Sequence, residues 1–300
     1  MSQRAWGILS GMSTYVLWGV LGVFWVLLKA VPAVDVLAYR FLFSLLFMAL
    51  ILTIQRSWSA FFHTIKALWQ SKKLIWVVLS ATVISINWGT YIYMVGHGQA
   101  TEASLGYYIM PLLNIIVAIV FFKEKLTRLT SIAVSLVVIG VALFAIQSGK
   151  LPFNTLLLAL SFCIYGVIKK KIVLPASFSL TLETLVCCPI ALGYLWLGST
   201  HSFFSFDSKT MLLLALSGIV TAVPLLLFTV AAKNLDFLTL SFIQSINPTI
   251  QLVVAIFLLH EAFNPHKLIV FAFIWSGVII FTIDSIQAYR KAIFDTRSLS

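Results

Sequence analysis

The chain has 300 residues, of which 61% are hydrophobic and 10% charged, with a mean hydropathy of +1.06 and a formal net charge of +11. Soluble domains carry about 25% charged residues, so a water-soluble fold could not hide this much apolar surface, and the bilayer is the expected solvent. The basic residues sit in short connectors, not in one patch, which argues against a nucleic-acid surface. Cys163, Cys187 and Cys188 fall within apolar stretches and show neither metal-ligand spacing nor a disulfide framework.

Apolar windows bounded by charges or by Pro and Gly predict ten membrane helices: 5–28, 34–54, 74–95, 101–122, 129–147, 154–168, 178–197, 210–232, 237–259 and 266–287. Helices are nearly forced, because an unpaired backbone group is costly in hydrocarbon and the alternating pattern of a barrel is absent. The first run follows Met1 to Arg4, is too long for a signal peptide and has no small-residue cleavage site, so it reads as a retained helix.

The connectors test this list. On one side fall Arg4, Arg56, Lys66, Lys72, Lys73, Lys123, Lys125, Arg128, Lys169, Lys170, Lys171, Lys233, Arg290, Lys291 and Arg297. The other side holds Lys29, Lys150, Lys209 and Lys267. That 15-to-4 split follows the positive-inside rule and puts both termini in the cytoplasm.

Shifting the sequence by 137 residues aligns 104–146 with 241–283 without a gap, matching Ser104 to Ser241, Pro111 to Pro248, Glu124 to Glu261 and Gly140 to Gly277. Predicted helices 4 and 5 thus correspond to helices 9 and 10. A shift of five spans is odd, so the two copies face opposite ways, the inverted repeat of secondary transporters. The expected fold class is an all-α membrane protein of ten transmembrane helices in two inverted five-helix repeats, 1–148 and 149–288, followed by a cytoplasmic tail, 289–300.

Trp18-Gly19-Val20, Tyr39-Arg40-Phe41, Asn87-Trp88, the run from Gly96 to Tyr107, Pro224 to Phe228 and Pro248-Thr249-Ile250-Gln251 together resemble the EamA family of the drug/metabolite transporter superfamily, and within it the RarD-like, chloramphenicol-sensitivity type. The resemblance covers essentially the whole chain. It implies a bacterial inner-membrane protein with a central cavity lined mainly by helices 1, 3, 4, 6, 8 and 9.

The cavity candidates on those helices are Tyr15, Trp18, Asn87, Trp88, Tyr91, Tyr107, Tyr108, Pro111, Asn114, Tyr165, Gln244, Asn247, Pro248 and Gln251. Aromatic rings offer stacking or cation–π surfaces, whereas Trp and Tyr near span ends also serve as interfacial anchors. Mid-span Pro111 and Pro248 each free a backbone carbonyl beside the amides of Asn114, Asn247, Gln244 and Gln251; kinks and bundle hydrogen bonds are the alternative. Arg40 and Glu183 are charges inside spans at opposite depths, so a direct ion pair is not expected; each is a substrate or gating candidate, or snorkels or caps a neighbour. Glu102 and His97 flank the start of helix 4, where an acid suits the helix dipole. Glu124 and Glu261 close helices 4 and 9 on opposite faces as latches or gates, and a cation is the expected partner, Lys125 or Arg128 for the first.

No phosphate-binding loop, zinc-protease motif or nucleophile elbow points to an enzyme, and no cofactor or metal is expected. The function expected is a secondary transporter of a small organic metabolite working by alternating access. An amino acid derivative or a nucleoside-linked metabolite fits the aromatic and amide wall, and S-adenosylmethionine is a candidate because members of the resembling family carry it. The alternatives are a drug or metabolite efflux permease and a channel. Expected partners are the substrate, a coupling proton or counter-solute and membrane lipid, with a monomer and a dimer both open.

Overall fold

The computed structural model describes residues 3–122, 127–149, 152–169, 171–172, 174–235, 243–244 and 246–297, and among these every regular element is a helix. In chain order they are α1 (Gln3–Val26), α2 (Ala33–Ile54), α3 (Trp58–Gln70), α4 (Leu74–Gly96), α5 (Ala100–Phe122), α6 (Arg128–Ser148), α7 (Phe153–Lys169) and α8 (Ala176–Leu197). A short 3₁₀ turn (Phe203–Ser205) then leads to α9 (Ser208–Asn234), α10 (Ile246–Val253), a π-helical turn (Val254–Leu258) and α11 (Pro265–Arg297). Among the described residues, seven helices are long and apolar enough to cross a membrane: α1, α2, α4, α6, α8, α9 and the Pro265–Asp284 part of α11. The shorter apolar helices α7 and Ile246–Leu258 accompany them. A 22-residue helix rises about 33 Å, which matches the roughly 30 Å hydrocarbon layer.

Between 22% and 44% of each spanning window is buried in the protein, and each helix also presents exposed residues to the outside. That outward surface is apolar, with Leu46 64% and Ile190 74% exposed, as expected of helices whose solvent is lipid. The protein is a multi-pass membrane protein.

Contacts at the two ends of the bundle fix the up-and-down course of the chain. At one end Glu261 meets Ala100 and Thr101, and Asp35 accepts from Tyr194 and Ser199. At the other, Asp284 accepts from Thr127 and Thr130 at the start of α6, and Phe61 packs on Phe178, ring centroids 5.5 Å apart.

Glycines set the closest helix approaches, as is usual where lipid gives no hydrophobic drive for helices to associate. A Cβ at Gly218 would lie 2.3 Å from the backbone of Phe43, locking α9 against α2. Gly140 of α6 faces Ile274, Phe273 and the Val270 carbonyl of α11, while Gly277 of α11 faces Val137, Leu136 and the Ala133 carbonyl of α6. These partner sets differ by 137 residues, the spacing of the sequence repeat, so the α6–α11 contact is reciprocal. α2 and α8 are also alike in form. Each has 22 residues, each follows a proline of nearly the same conformation (Pro32 φ −52° ψ 134°, Pro175 φ −55° ψ 141°), and Arg40 and Glu183 are each the eighth residue.

Three features depart from the predicted spans. The segment after α2, read as a connector, contains α3, a 13-residue helix too short to span; it turns Phe61 and Leu68 inward and leaves Phe62 and Trp69 exposed. Predicted helix 9 ends in a π turn, closed by the Leu259 N–H bonding the Val254 carbonyl. The tail predicted from 289 continues α11 in helix to Arg297. Residues 236–242 of predicted helix 9 lie outside the described residues.

Candidate functional site

Arg40 sits about 10 Å along α2 from its start and is only 4% exposed. Its guanidinium carbon lies 3.8 Å from the centroid of the Trp88 ring and 4.9 Å from that of Trp25. Nε donates to Thr221 Oγ1 at 2.8 Å, and that hydroxyl in turn donates to the Ser217 carbonyl. The phenols of Tyr91 and Tyr107 are within electrostatic reach. Arg40 forms no ion pair with a described residue.

Glu183 has the opposite surroundings. Its carboxylate accepts from Lys169 Nζ and Ser80 Oγ, both at 2.9 Å, and from Tyr165 at 3.2 Å, with Ser179 Oγ at 3.4 Å. Lys169 also contacts Ser179 and lies 5.3 Å from the centroid of the Tyr165 ring. α4, α7 and α8 are tied together at this carboxylate.

A line of rings runs from one charge toward the other: Tyr91 to Tyr107 at 5.9 Å, Tyr107 to Phe162 at 6.3 Å, Phe162 to Tyr165 at 5.9 Å, then the Glu183 carboxylate. Tyr107 and Tyr165 are half-buried. Trp18 packs against the same cluster as Tyr91 and Tyr107, and forms an aromatic trio with Tyr15 and Phe228 between α1 and α9.

The other predicted site residues divide differently. Tyr108 turns away from this group, bonding Thr249 and packing on Phe271 and Trp275. Asn87 donates to the Leu158 carbonyl and Ser161 Oγ, so its amide joins α4 to α7, while its buried Oδ1 has no partner among the described residues. Asn247 and Gln251 bond each other at 3.1 Å within α10, leaving Gln251 Oε1 unpaired; Gln244 is half-buried. The Pro248 carbonyl accepts from Ser104 and joins α10 to α5. The side chains of Pro111 and Asn114, and all of Glu124, lie outside the described residues.

Glu261 does not meet the cation expected of it. Its carboxylate accepts from the Ala100 N–H at 2.5 Å and from the Thr101 N–H and Oγ1 at 2.7 and 2.6 Å. It caps the positive end of α5, a partner as suitable for an acid as a lysine. The π turn and the left-handed His260 (φ 54°) swing it there. Glu102 is half-buried in the first turn of α5, and His97 bonds the Tyr93 carbonyl and stacks on the Tyr93 ring.

Sequence reasoning missed Trp25, Phe162, Lys169, Ser80, Thr221 and Asp35. Phe162 could have been found three residues before Tyr165, one helical turn away. Lys169 was placed one residue beyond the end of its span. Between α2 and α8 a lateral groove of about 360 Å³ is lined by Tyr39, Leu42, Leu46, Cys188, Leu192 and Phe203 among others, and none of the predicted site residues borders it. Among the described residues no group of His, Cys, Asp and Glu could hold a metal ion.

The site thus combines an intramembrane guanidinium, a tied carboxylate and a line of rings, and along its whole length the chain is similar to known proteins. The transporter YojE of Bacillus subtilis is 40% identical over 287 residues, covering 95% of this chain and 96% of that one. Protein RarD of Streptomyces exfoliatus is 37% identical over 294 residues (97% and 92%), and protein RarD of Escherichia coli K12 is 36% identical over 293 (96% and 98%). A crystal structure 16% identical in sequence shares the fold, with a TM-score of 0.59 over 92% of this chain and 97% of that one. The EamA-like transporter family model matches residues 5–146 and again 152–283, and with relatives of this identity along its whole length the chain belongs to that family.

Proposed function

We propose that the protein is a secondary carrier that moves a small organic metabolite across a bacterial inner membrane by alternating access between two five-helix halves of opposite orientation, 1–148 and 149–288, with both termini in the cytoplasm. The observation that carries this reading is the reciprocal α6–α11 contact, in which Gly140 and Gly277 exchange roles at a spacing of 137 residues. Two antiparallel helices meeting in this way are related by a twofold axis across their length, the relation an inverted repeat requires. Swapping the conformations of two such halves turns a cavity open to one side into a cavity open to the other. The family match in two consecutive segments supports the same division.

The solute site lies between Arg40 and Glu183, with Trp88, Tyr91, Tyr107, Phe162 and Tyr165 as its wall. An amino acid derivative or a nucleoside-linked metabolite has a flat body that such rings can stack upon. Purified protein in liposomes, offered a panel of labelled metabolites, is expected to show saturable uptake and counterflow for at least one. Flux that neither saturates nor shows counterflow would make the protein a channel. Trp88→Ala and Tyr107→Ala should each weaken uptake without loss of expressed protein, and unchanged kinetics in both would remove the wall assignment.

A further inference from the structure

Arg40 carries a positive charge into the bundle, and no described acid meets it. Its neighbours occupy only part of the guanidinium: two indole faces and one hydroxyl on Nε. The two terminal nitrogens make no hydrogen bond to a described residue. Nearby donors are in the same condition. The buried Nε1 of Trp25 has no acceptor among the described residues, and the Tyr91 and Tyr107 hydroxyls, both within electrostatic reach of the guanidinium, bond no described residue. The Tyr91 hydroxyl is also pressed close to Gly22 of α1, where an added Cβ would lie 3.4 Å from it. A buried donor left without an acceptor in a low-dielectric interior costs about 1–3 kcal/mol, so the unpaired Trp25 Nε1 beside a guanidinium with free nitrogens points to something that accepts.

We propose that this cluster is an oxyanion site, at which the free nitrogens of Arg40 take both oxygens of a carboxylate carried by the transported solute. The inference rests on the carrier reading above and names its substrate class: an organic monoanion with an aromatic or apolar body. A planar guanidinium fork matches a carboxylate in two parallel hydrogen bonds. One cation balances one negative charge, whereas a phosphate ester would bring up to two into a cluster with no second described Lys or Arg. Among the described residues the other cation near the line of rings, Lys169, is already held by Glu183. Glu183 is already paired with Lys169 and bonded by Ser80 and Tyr165, so among the described residues an ammonium or sulfonium group finds no unpaired acid here. A solute recognised through a cation meets the wrong sign at Arg40.

The test uses the full chain in lipid nanodiscs and reads binding by tryptophan fluorescence and by unfolding temperature. The probes are indole-3-acetate and phenylacetate, their neutral amides, tryptamine as the cation, and phenyl phosphate. At least one acid should bind, while its amide and tryptamine bind at least about tenfold more weakly, the loss expected for a charged hydrogen bond. Arg40→Gln should remove the preference for acid over amide, and Arg40→Lys should keep part of it. The acid-against-amide comparison on the unaltered chain decides the matter even if Arg40→Gln fails to fold. Equal binding of acid and amide, no binding of either acid, tighter binding of phenyl phosphate, or an Arg40→Gln protein with the preference intact would each overturn the proposal. Counterflow of a neutral or cationic solute alongside such a failure would leave the carrier standing; acid binding without counterflow of any solute would do the reverse.

Discussion

Arg40 and Glu183 occupy the same position in two helices of the same length, each eighth in a 22-residue helix behind a proline, yet their surroundings are opposed. Glu183 is satisfied by a lysine, a tyrosine and hydroxyls from three helices, whereas Arg40 has one hydroxyl and two aromatic faces. Register places a charge at a given depth, and neighbours decide whether it acts as a tie or a receptor. A buried pair is costly to break from one side, while a lone buried charge is costly to keep and is retained for what it binds.

The largest effect that would sharpen this contrast falls on transport. Arg40→Leu should cut uptake about a hundredfold, the scale on which losing one partner of a desolvated charge pair is felt, and leave the unfolding temperature nearly unchanged. A large loss of stability with normal uptake per folded molecule would show Arg40 to be a structural tie like its counterpart. Glu183→Leu is expected to do the opposite. It should destabilise the protein by about 2–4 kcal/mol, toward the low end because the Lys169 side chain is 24% exposed, and Lys169→Met in the same chain should restore part of the loss. Denaturant or thermal unfolding in detergent reads both.

Next come Gly140→Ala and Gly277→Ala. Because their contacts are reciprocal, each should cost a similar 1–3 kcal/mol or so of overpacking, and strongly unequal losses would weaken the twofold reading. Glu261→Gln removes the charge but not the shape of the cap on α5 and should cost about 1 kcal/mol, measured the same way. The smallest effect lies at Asp207, where hydrogen bonds from Thr210 hold the exposed carboxyl below its usual pKa. The stability it adds is present above the ordinary carboxylate pKa and fades as pH falls through the lowered value, so Asp207→Asn should flatten a slight acid-side loss of stability.

Hydropathy and connector charge made most of the helices legible, because lipid penalises any other backbone form. The short helix α3 escaped because its apolar stripe, including Trp58, Phe61, Ile65 and Leu68, is amphipathic and falls in a segment too polar to span. The π turn at Val254–Leu258 leaves no trace in hydropathy. At the site, the chemistry of Arg40, Glu183, Trp88, Tyr91, Tyr107 and Tyr165 could be read as residues costly or useful in a membrane. Their partners could not, since Thr221 is 181 residues from Arg40 and Ser80 is 103 from Glu183. Glu261 shows the limit most directly: the dipole argument called for a positive partner, and only the fold could supply a helix end from 160 residues away.

The central claim, that one solute site beside the line of rings is reached from each side in turn, is open to direct measurement. The buried native thiols Cys163, Cys187 and Cys188 would be replaced by serine and a single cysteine placed by Tyr107→Cys, in sealed vesicles of both orientations exposed to a membrane-impermeant maleimide. Alternating access predicts modification in both orientations, slowed in each by a transported solute. Modification confined to one orientation under every condition would contradict it.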